Sequence, residues 1–372
     1  MALPEAEAKN RKAINEMLTV YAYYVLITSF GDVPYSEALD IDNLQPKYDK
    51  ASDIFNAIAK RLDDALASLD VAEHGYQDAD LILGDDIEGW KRFGNSLKMR
   101  MGMLIADSDP AMSKTMVEQA APNVIAVNSE NIQMNFLDAP PNTNPVWEDL
   151  IQSGREDFVG AKPFIDTLRK YSDPRISEFF STASSSGDFV GEKPGLGADP
   201  DTSSHPSDKI ADPTAPYVFF SFSEMELYKA EAVERGYNVG GTAAEHYSNA
   251  VTASIEEWGG SAADAAAYLT QPGVNYLTAS GTYKQKIGVQ SWIALYNRGY
   301  DAWTQLRRLD APQLALPEFG GYNPFEQGET PGLIVRLTYP VVEQNLNKAS
   351  YGAASSSIGQ DWKTQKLWFD KF

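Results

Sequence analysis

Trp90, Phe93, Leu97, Met101 and Leu104 advance along the chain by 3, 4, 4 and 3 residues. That spacing gathers all five side chains on one face of a helix, and on no face of a strand, whose period is two. The same rhythm recurs in other segments. Residues 8–30 place Ile14, Met17, Leu18, Tyr21, Val25 and Thr28 on one face, and 47–69 place Ile54, Ile58, Leu62, Ala65, Leu66 and Leu69 on another. In the second half, Ser223-x-x-Glu226 and Thr242-x-x-Glu245 read as capping boxes opening helices that stop at Gly236 and Gly259. A further helix carries Val289, Trp292, Ile293, Tyr296, Tyr300 and Trp303. Paired helices of this length with small and aromatic contact residues predict a mostly α fold of tetratricopeptide-like hairpins, one of them spanning 221–258, with minor β content.

Composition narrows the functional classes. Of 372 residues, 43% are hydrophobic and 22% charged, as in a folded globular protein. The formal charge is −21, with no run of Lys and Arg, so a nucleic-acid backbone would be repelled. There is no cysteine, which removes disulfides, thiolate metal sites and thiol nucleophiles. The three histidines, His74, His205 and His246, have no zinc-ligand spacing. The longest apolar run, Tyr21–Ile27, falls well short of the roughly 20 residues of a membrane helix.

Between the helical blocks lie residues 122–148, 181–217 and 310–332, rich in Pro, Gly, Ser, Asn and Asp, and loops of that length in a compact chain are commonly functional. No catalytic signature accompanies them. G-x-S-x-G and the phosphate-binding G-x-x-x-x-G-K-[ST] are absent, and Gly195-Leu196-Gly197 runs into Pro200 instead of opening a helix. Asp199 and Asp201 have calcium-loop spacing without the glycine and glutamate that complete it. No catalytic residue, cofactor or metal ligand is assigned. Phe30-Gly31-Asp32-Val33-Pro34-Tyr35 is expected to be a structural turn: Gly31 takes a positive φ, Pro34 fixes an extension and Asp32 bonds backbone amides.

Taken in order, "YAYYVLITSFGDVPYSEAL", "WKRFGNSLKMRMGMLIAD", "SDPR" at 172–175, "FSFSEMELYKAEAVERG", "IGVQSWIALYNRGYDAWTQLRRLDAP" and "VRLTYPVVEQNLNKASYGAA" resemble the SusD/RagB family, in its SusD-like branch, of glycan-binding outer-membrane lipoproteins from Bacteroidetes. The resemblance covers nearly the whole chain. It implies a single SusD-like α-helical domain over 1–372, no catalysis, and capture of a poly- or oligosaccharide for delivery to a SusC-like TonB-dependent transporter. It also implies an extracellular position on the outer membrane through an N-terminal lipid. The family's lipoprotein signal, acylated cysteine and upstream segment do not occur in this sequence, so the chain reads as a shortened form. A tetratricopeptide-type adaptor for peptides and a helical glycoside hydrolase remain as alternatives.

A sugar ring presents a C–H face that stacks on an aromatic side chain, so the tryptophans must be divided between core and platform. Trp90, Trp292 and Trp303 lie on helical stripes and Trp368 lies in the apolar "LWF", and these four are assigned to packing. Trp362 stays undecided. Trp147 follows the loop "LDAPPNTNPV", Trp258 ends its helix at "EEWGG", and Tyr217 closes the 181–217 loop. Trp147, Trp258 and Tyr217 are therefore the expected glycan-binding residues.

Overall fold

The computed structural model describes residues 4–155 and 157–372. Among them are fourteen helices and two small antiparallel ribbons, a mostly α fold. The first half holds α1 (Glu5–Phe30), α2 (Ala51–Ser68), α3 (Ile87–Leu104) and α4 (Pro110–Ala120). Shorter pieces follow: α5 (Pro145–Trp147), α6 (Lys162–Lys170) and α7 (Ile176–Phe179). The second half holds α8 (Phe222–Glu234), α9 (Ala243–Glu257), α10 (Ala262–Leu269), α11 (Tyr283–Ala294) and α12 (Gly299–Leu309). The short α13 (Val341–Leu346) and α14 (Lys348–Ser357) lie near the end. Strand β1 (Val33–Pro34) pairs with β2 (Tyr48–Asp49), and β3 (Ile132–Met134) with β4 (Tyr217–Phe220).

Consecutive helices pack as hairpins: α1 with α2, α3 with α4, α8 with α9, and α11 with α12. The five-residue stripe of α3 is buried as its spacing requires, with Phe93, Leu97 and Met101 fully enclosed. They share a core with Ile14, Met17 and Val20 of α1, with Ile54, Ile58 and Leu62 of α2, and with Met225 and Tyr228 of α8. The opposite side of α8 offers Leu227 and Ala230 to a second core with Tyr247, Val251 and Ile255 of α9 and Tyr268 of α10. A helix covered on both faces has no polar stripe to show, which is why α8 reads weakly as amphipathic. A third cluster joins Phe164 and Ile165 of α6, Phe179 of α7 and Ile293 of α11.

Buried arginines tie the layers together. Arg100 of α3 grips Glu224 of α8 at 2.7 and 2.9 Å, and Arg308 of α12 grips Glu231 of α8 at 2.6 Å through both nitrogens. Burial opposes charge on Glu224, but Arg100 and Arg298 overcome it and hold its carboxyl below the usual range. The "SDPR" motif is part of the same framework. Arg175 bonds Asp173 at 2.8 and 2.6 Å, then reaches Ser254 of α9 at 2.8 Å and Gln290 of α11 at 3.1 Å.

Two local expectations need correction. The cap of α8 is Ser221, whose hydroxyl accepts from the Glu224 amide, and Ser223 and Glu226 lie inside the helix. Ser221-x-x-Glu224 fits the same pattern two residues earlier, but the Glu224 carboxylate is spent on Arg100 and Arg298. The Thr242/Glu245 box is formed as expected. The continuous helix through Val289–Trp303 is in fact two, because Asn297 takes φ +62° between α11 and α12. Tyr300 is left 59% exposed instead of joining the stripe.

The Phe30–Tyr35 segment redirects the chain. Gly31 has φ +90° and its amide closes α1 on the Ile27 carbonyl at 3.1 Å. Val33 and Pro34 form β1, and Asp32 accepts from the amide of Ala51 at 2.8 Å, so the end of α1 caps the start of α2.

Candidate functional site

Two of the three long loops, 122–148 and 181–217, meet at one cleft of about 820 Å³, and 310–332 takes no part in its lining. Five pieces of chain build its wall. Residues 128–146 contribute Asn128, Asn131, Gln133, Phe136 and Asn144; residues 209–216 contribute Lys209, Asp212 and Thr214; β4 contributes Tyr217 and Val218. The end of α9 contributes Glu257 and Trp258, and the α11–α12 turn contributes Tyr296, Asn297 and Arg298.

Each loop is pinned to the helical scaffold by its own polar residues. Asn144 donates to the Ala215 carbonyl at 2.6 Å, and its amide meets the Pro213 carbonyl at 2.8 Å, which locks the first loop to the second. Asn131 accepts from the Phe222 amide at 2.7 Å at the start of α8. Asn128 donates to the Ala253 carbonyl of α9 at 2.9 Å. Lys209 bridges the Glu178 carboxylate at 2.5 Å and the Trp258 carbonyl. Asp212 accepts from the Thr214 hydroxyl at 2.6 Å and the Thr214 amide at 2.7 Å, and those bonds hold its carboxyl below the usual range.

The aromatic lining is tightly backed. Trp258 stands edge-on to Phe179 at 4.7 Å between centroids and leans on Tyr296 at 5.9 Å. Tyr296 stacks on Phe179 at 4.3 Å and donates its hydroxyl to the Phe179 carbonyl at 3.2 Å; burial pushes its phenol up. Tyr217 is 40% exposed, sits edge-on to Phe219 at 4.9 Å and shares a 3.0 Å hydroxyl contact with Tyr21.

Of the three expected glycan-binding residues, Trp258 and Tyr217 line this cleft, although 41 positions separate them in the chain. Trp147 does not reach its lining; its neighbours Pro145 and Val146 do. Among the tryptophans assigned to packing, Trp90 is fully buried and Trp292 meets Phe164 at 4.8 Å. Trp303 donates to the Ile334 carbonyl at 2.8 Å, and Trp368 lies 5.1 Å from Phe369. Trp362 is beside Gly328, away from the cleft. The sequence reading missed Tyr296, Glu257 and the amides Asn128, Gln133 and Asn297. Tyr296 fell on a helical stripe, and nothing local marked the break at Asn297.

Among the described residues no group of three His, Asp or Glu side chains is placed to hold a metal ion. Asp199 instead accepts from the Asp201 amide and caps a single turn. His74 pairs with Asp85, His205 contacts the Phe158 and Pro200 carbonyls, and His246 pairs with Glu226. Among the described residues no helix is long and apolar enough to cross a membrane.

Comparison with known proteins places this architecture. A chitin-binding protein of known structure is 28% identical with a TM-score of 0.85, over 99% of this chain and 82% of the other. A chitin-binding SusD homologue from Flavobacterium johnsoniae is 25% identical with a TM-score of 0.83, over 96% of this chain and 80% of the other. A SusD homologue from Bacteroides uniformis, 24% identical with a TM-score of 0.84 over 97% and 81%, shares the fold. No protein of curated function matches the chain in sequence. The model of a SusD-like family described as starch-binding and associating with the outer membrane matches residues 1–340, and the chain belongs to that family.

Proposed function

We propose that this protein captures a poly- or oligosaccharide at the cell surface, in the cleft between the long loops and the ends of α9 and α11, and passes it uncut to a SusC-like TonB-dependent transporter. One observation carries the reading: Trp258 and Tyr217, from distant segments, open onto a single cleft edged by carboxamides. Aromatic faces meet the C–H faces of sugars, and amides meet their hydroxyls, without any catalytic group being required. Trp258 and Tyr217 are the proposed stacking residues, and Trp147, next in the chain to the lining residues Pro145 and Val146, lies outside the lining. Attachment to the outer membrane through an N-terminal lipid belongs to the same proposal.

Two relatives are described as chitin-binding and the family as starch-binding, so chitin and starch oligosaccharides are the first ligands to try. Affinity electrophoresis in gels containing glycol chitin or soluble starch should retard the protein in at least one. Equal mobility in both, and across a wider polysaccharide panel, would remove the reading. Glu257, whose carboxyl burial raises to about 7, and Asp212, whose carboxyl is held below the usual range, share the cleft, a divergence of the kind that glycoside hydrolysis uses. Reducing ends should therefore be measured alongside, and none should accumulate. Co-purification of the protein with a TonB-dependent barrel from mild detergent extracts of native outer membranes tests the transporter step.

A further inference from the structure

Glu257 is the last residue of α9 and lines the cleft beside Trp258. Among the described residues it enters no ion pair, although cations surround it. Those cations are already engaged. Arg298, from the α11–α12 turn, bonds Glu224 at 2.5 Å and Asp301 at 2.8 Å. Arg175, ahead of α7, is held by Asp173, and Lys209, from the loop opposite, is held by Glu178.

The remaining neighbours weigh against a charge. Glu224 on α8 supplies a like charge, the adjacent Glu256 is acidic, and Asp212 faces the same opening as a carboxylate. The last turn of α9 adds the negative end of the helix dipole. The Ser223 hydroxyl of α8 and the partial pull of Arg298 and Arg175 favour ionisation. Burial is the largest effect, and the carboxyl is raised from 4.5 to about 7. A protonated carboxyl on a cleft wall is a hydrogen-bond donor, which a carboxylate is not.

We infer that Glu257 meets the ligand as an uncharged carboxylic acid, its O–H donating to a hydroxyl or amide oxygen of the sugar, so that capture in this cleft requires a proton. The inference rests on the glycan-binding reading and adds the residue and the protonation state that govern it. No bond is made or broken in the step; deprotonation removes the donor and puts an unbalanced carboxylate against the sugar's oxygens.

The test is calorimetric titration of the whole chain with N-acetylchitohexaose and with maltoheptaose, at pH 6 and pH 8, for the wild type and Glu257→Gln. A group titrating near 7 is about nine-tenths protonated at pH 6 and about one-tenth at pH 8, so wild-type affinity should fall about tenfold. Glu257→Gln carries a permanent N–H donor of nearly the same shape, and its affinity should no longer follow pH. A wild type with pH-independent affinity, or a variant with the wild-type slope, overturns the inference while leaving glycan binding in place. Failure of both sugars at pH 6, together with equal mobility across the wider polysaccharide panel, removes both readings. Carboxyl carbon NMR of the wild type checks the proton directly and does not depend on the variant folding; a Glu257 midpoint near the ordinary carboxylate value overturns the inference.

Discussion

Trp90 stands in the body of α3 and Trp258 at the end of α9, and the two indoles are satisfied differently. Trp90 is 1% exposed, its N–H donates to Asp80 at 2.7 Å, and its ring lies 5.1 Å from Phe93. Trp258 is half-buried, its ring faces both Phe179 and the cleft, and its N–H is buried without an acceptor among the described residues. Of five buried side-chain polar atoms without a hydrogen-bond partner among the described residues, Trp258 Nε1 and Asn128 Oδ1 belong to the cleft lining, and Ser96 Oγ and Arg100 Nη1 belong to α3. Glu257 adds a carboxyl without a counter-ion. The indole of the helical interior is complete in its bonding, whereas the cleft wall retains, at Trp258 and Glu257, groups that lower stability, as binding sites tend to do.

The largest expected effects lie on the interior side. Trp90→Ala should cost about 3–5 kcal/mol, the range for removing a large buried aromatic, while the folded fraction binds glycan as before. Denaturant titration measures the first and affinity electrophoresis the second; a cost under about 1 kcal/mol would mean the two regions do not differ as described.

Next is Glu257→Gln, for which the sign reverses. A carboxyl raised from 4.5 to about 7 binds more protons in the folded state than in the unfolded state. Its contribution is intact below pH 4.5 and is lost as pH rises toward and through 7, so above that the charged group destabilises the fold by on the order of 3 kcal/mol. The variant should therefore be more stable than the wild type at pH 8 and equal to it near pH 4. Equal stabilities at both pH values would show that the cleft wall carries no such strain.

Trp258→Ala should weaken binding of the cognate sugar by about 1–3 kcal/mol, as loss of an aromatic anchor does. Packing on Phe179 and Tyr296 ties this ring to the third core, so a measurable loss of stability should accompany the loss of binding. Trp147→Ala should affect binding less, because its ring lies outside the lining. An unchanged affinity in Trp258→Ala would remove that residue from the platform.

These differences follow what a single sequence can convey. The stripe in α3 and the Thr242/Glu245 cap are local patterns with one physical solution, and both are formed. The cap of α8 was misplaced because two overlapping Ser-x-x-Glu patterns compete, and the choice is made by Arg100 from 124 residues away. The cleft is harder still. Trp258 is recognisable from its place at the end of its helix, although it shares the face of Tyr247, Val251 and Ile255, and Tyr217 from its place at the end of the 181–217 loop, but Tyr296 looks like core until Asn297 turns the chain. Nothing near Glu257 in sequence reveals that Arg298 and Arg175 are already engaged. At Gly31 the local reading suffices: φ is +90° and an added Cβ would meet Leu367 at 2.9 Å, so Gly31→Val should cost about 1–3 kcal/mol with glycan affinity of the folded protein intact.

The smallest effect separates ring from hydroxyl at Tyr217. Its phenol shares a 3.0 Å contact with the Tyr21 hydroxyl, and its ring is 40% exposed at the cleft. If the ring is the platform and the hydroxyl only anchors it to α1, Tyr217→Phe should cost at most about 1 kcal/mol of stability and leave sugar affinity within about twofold. Tyr217→Ala should then lower affinity clearly more, since it removes the face as well as the anchor. Calorimetric titration of both variants with the same oligosaccharide decides between the roles. If Phe loses as much affinity as Ala, the hydroxyl is the contact, and Tyr217 belongs with the polar edge of the cleft instead of with Trp258.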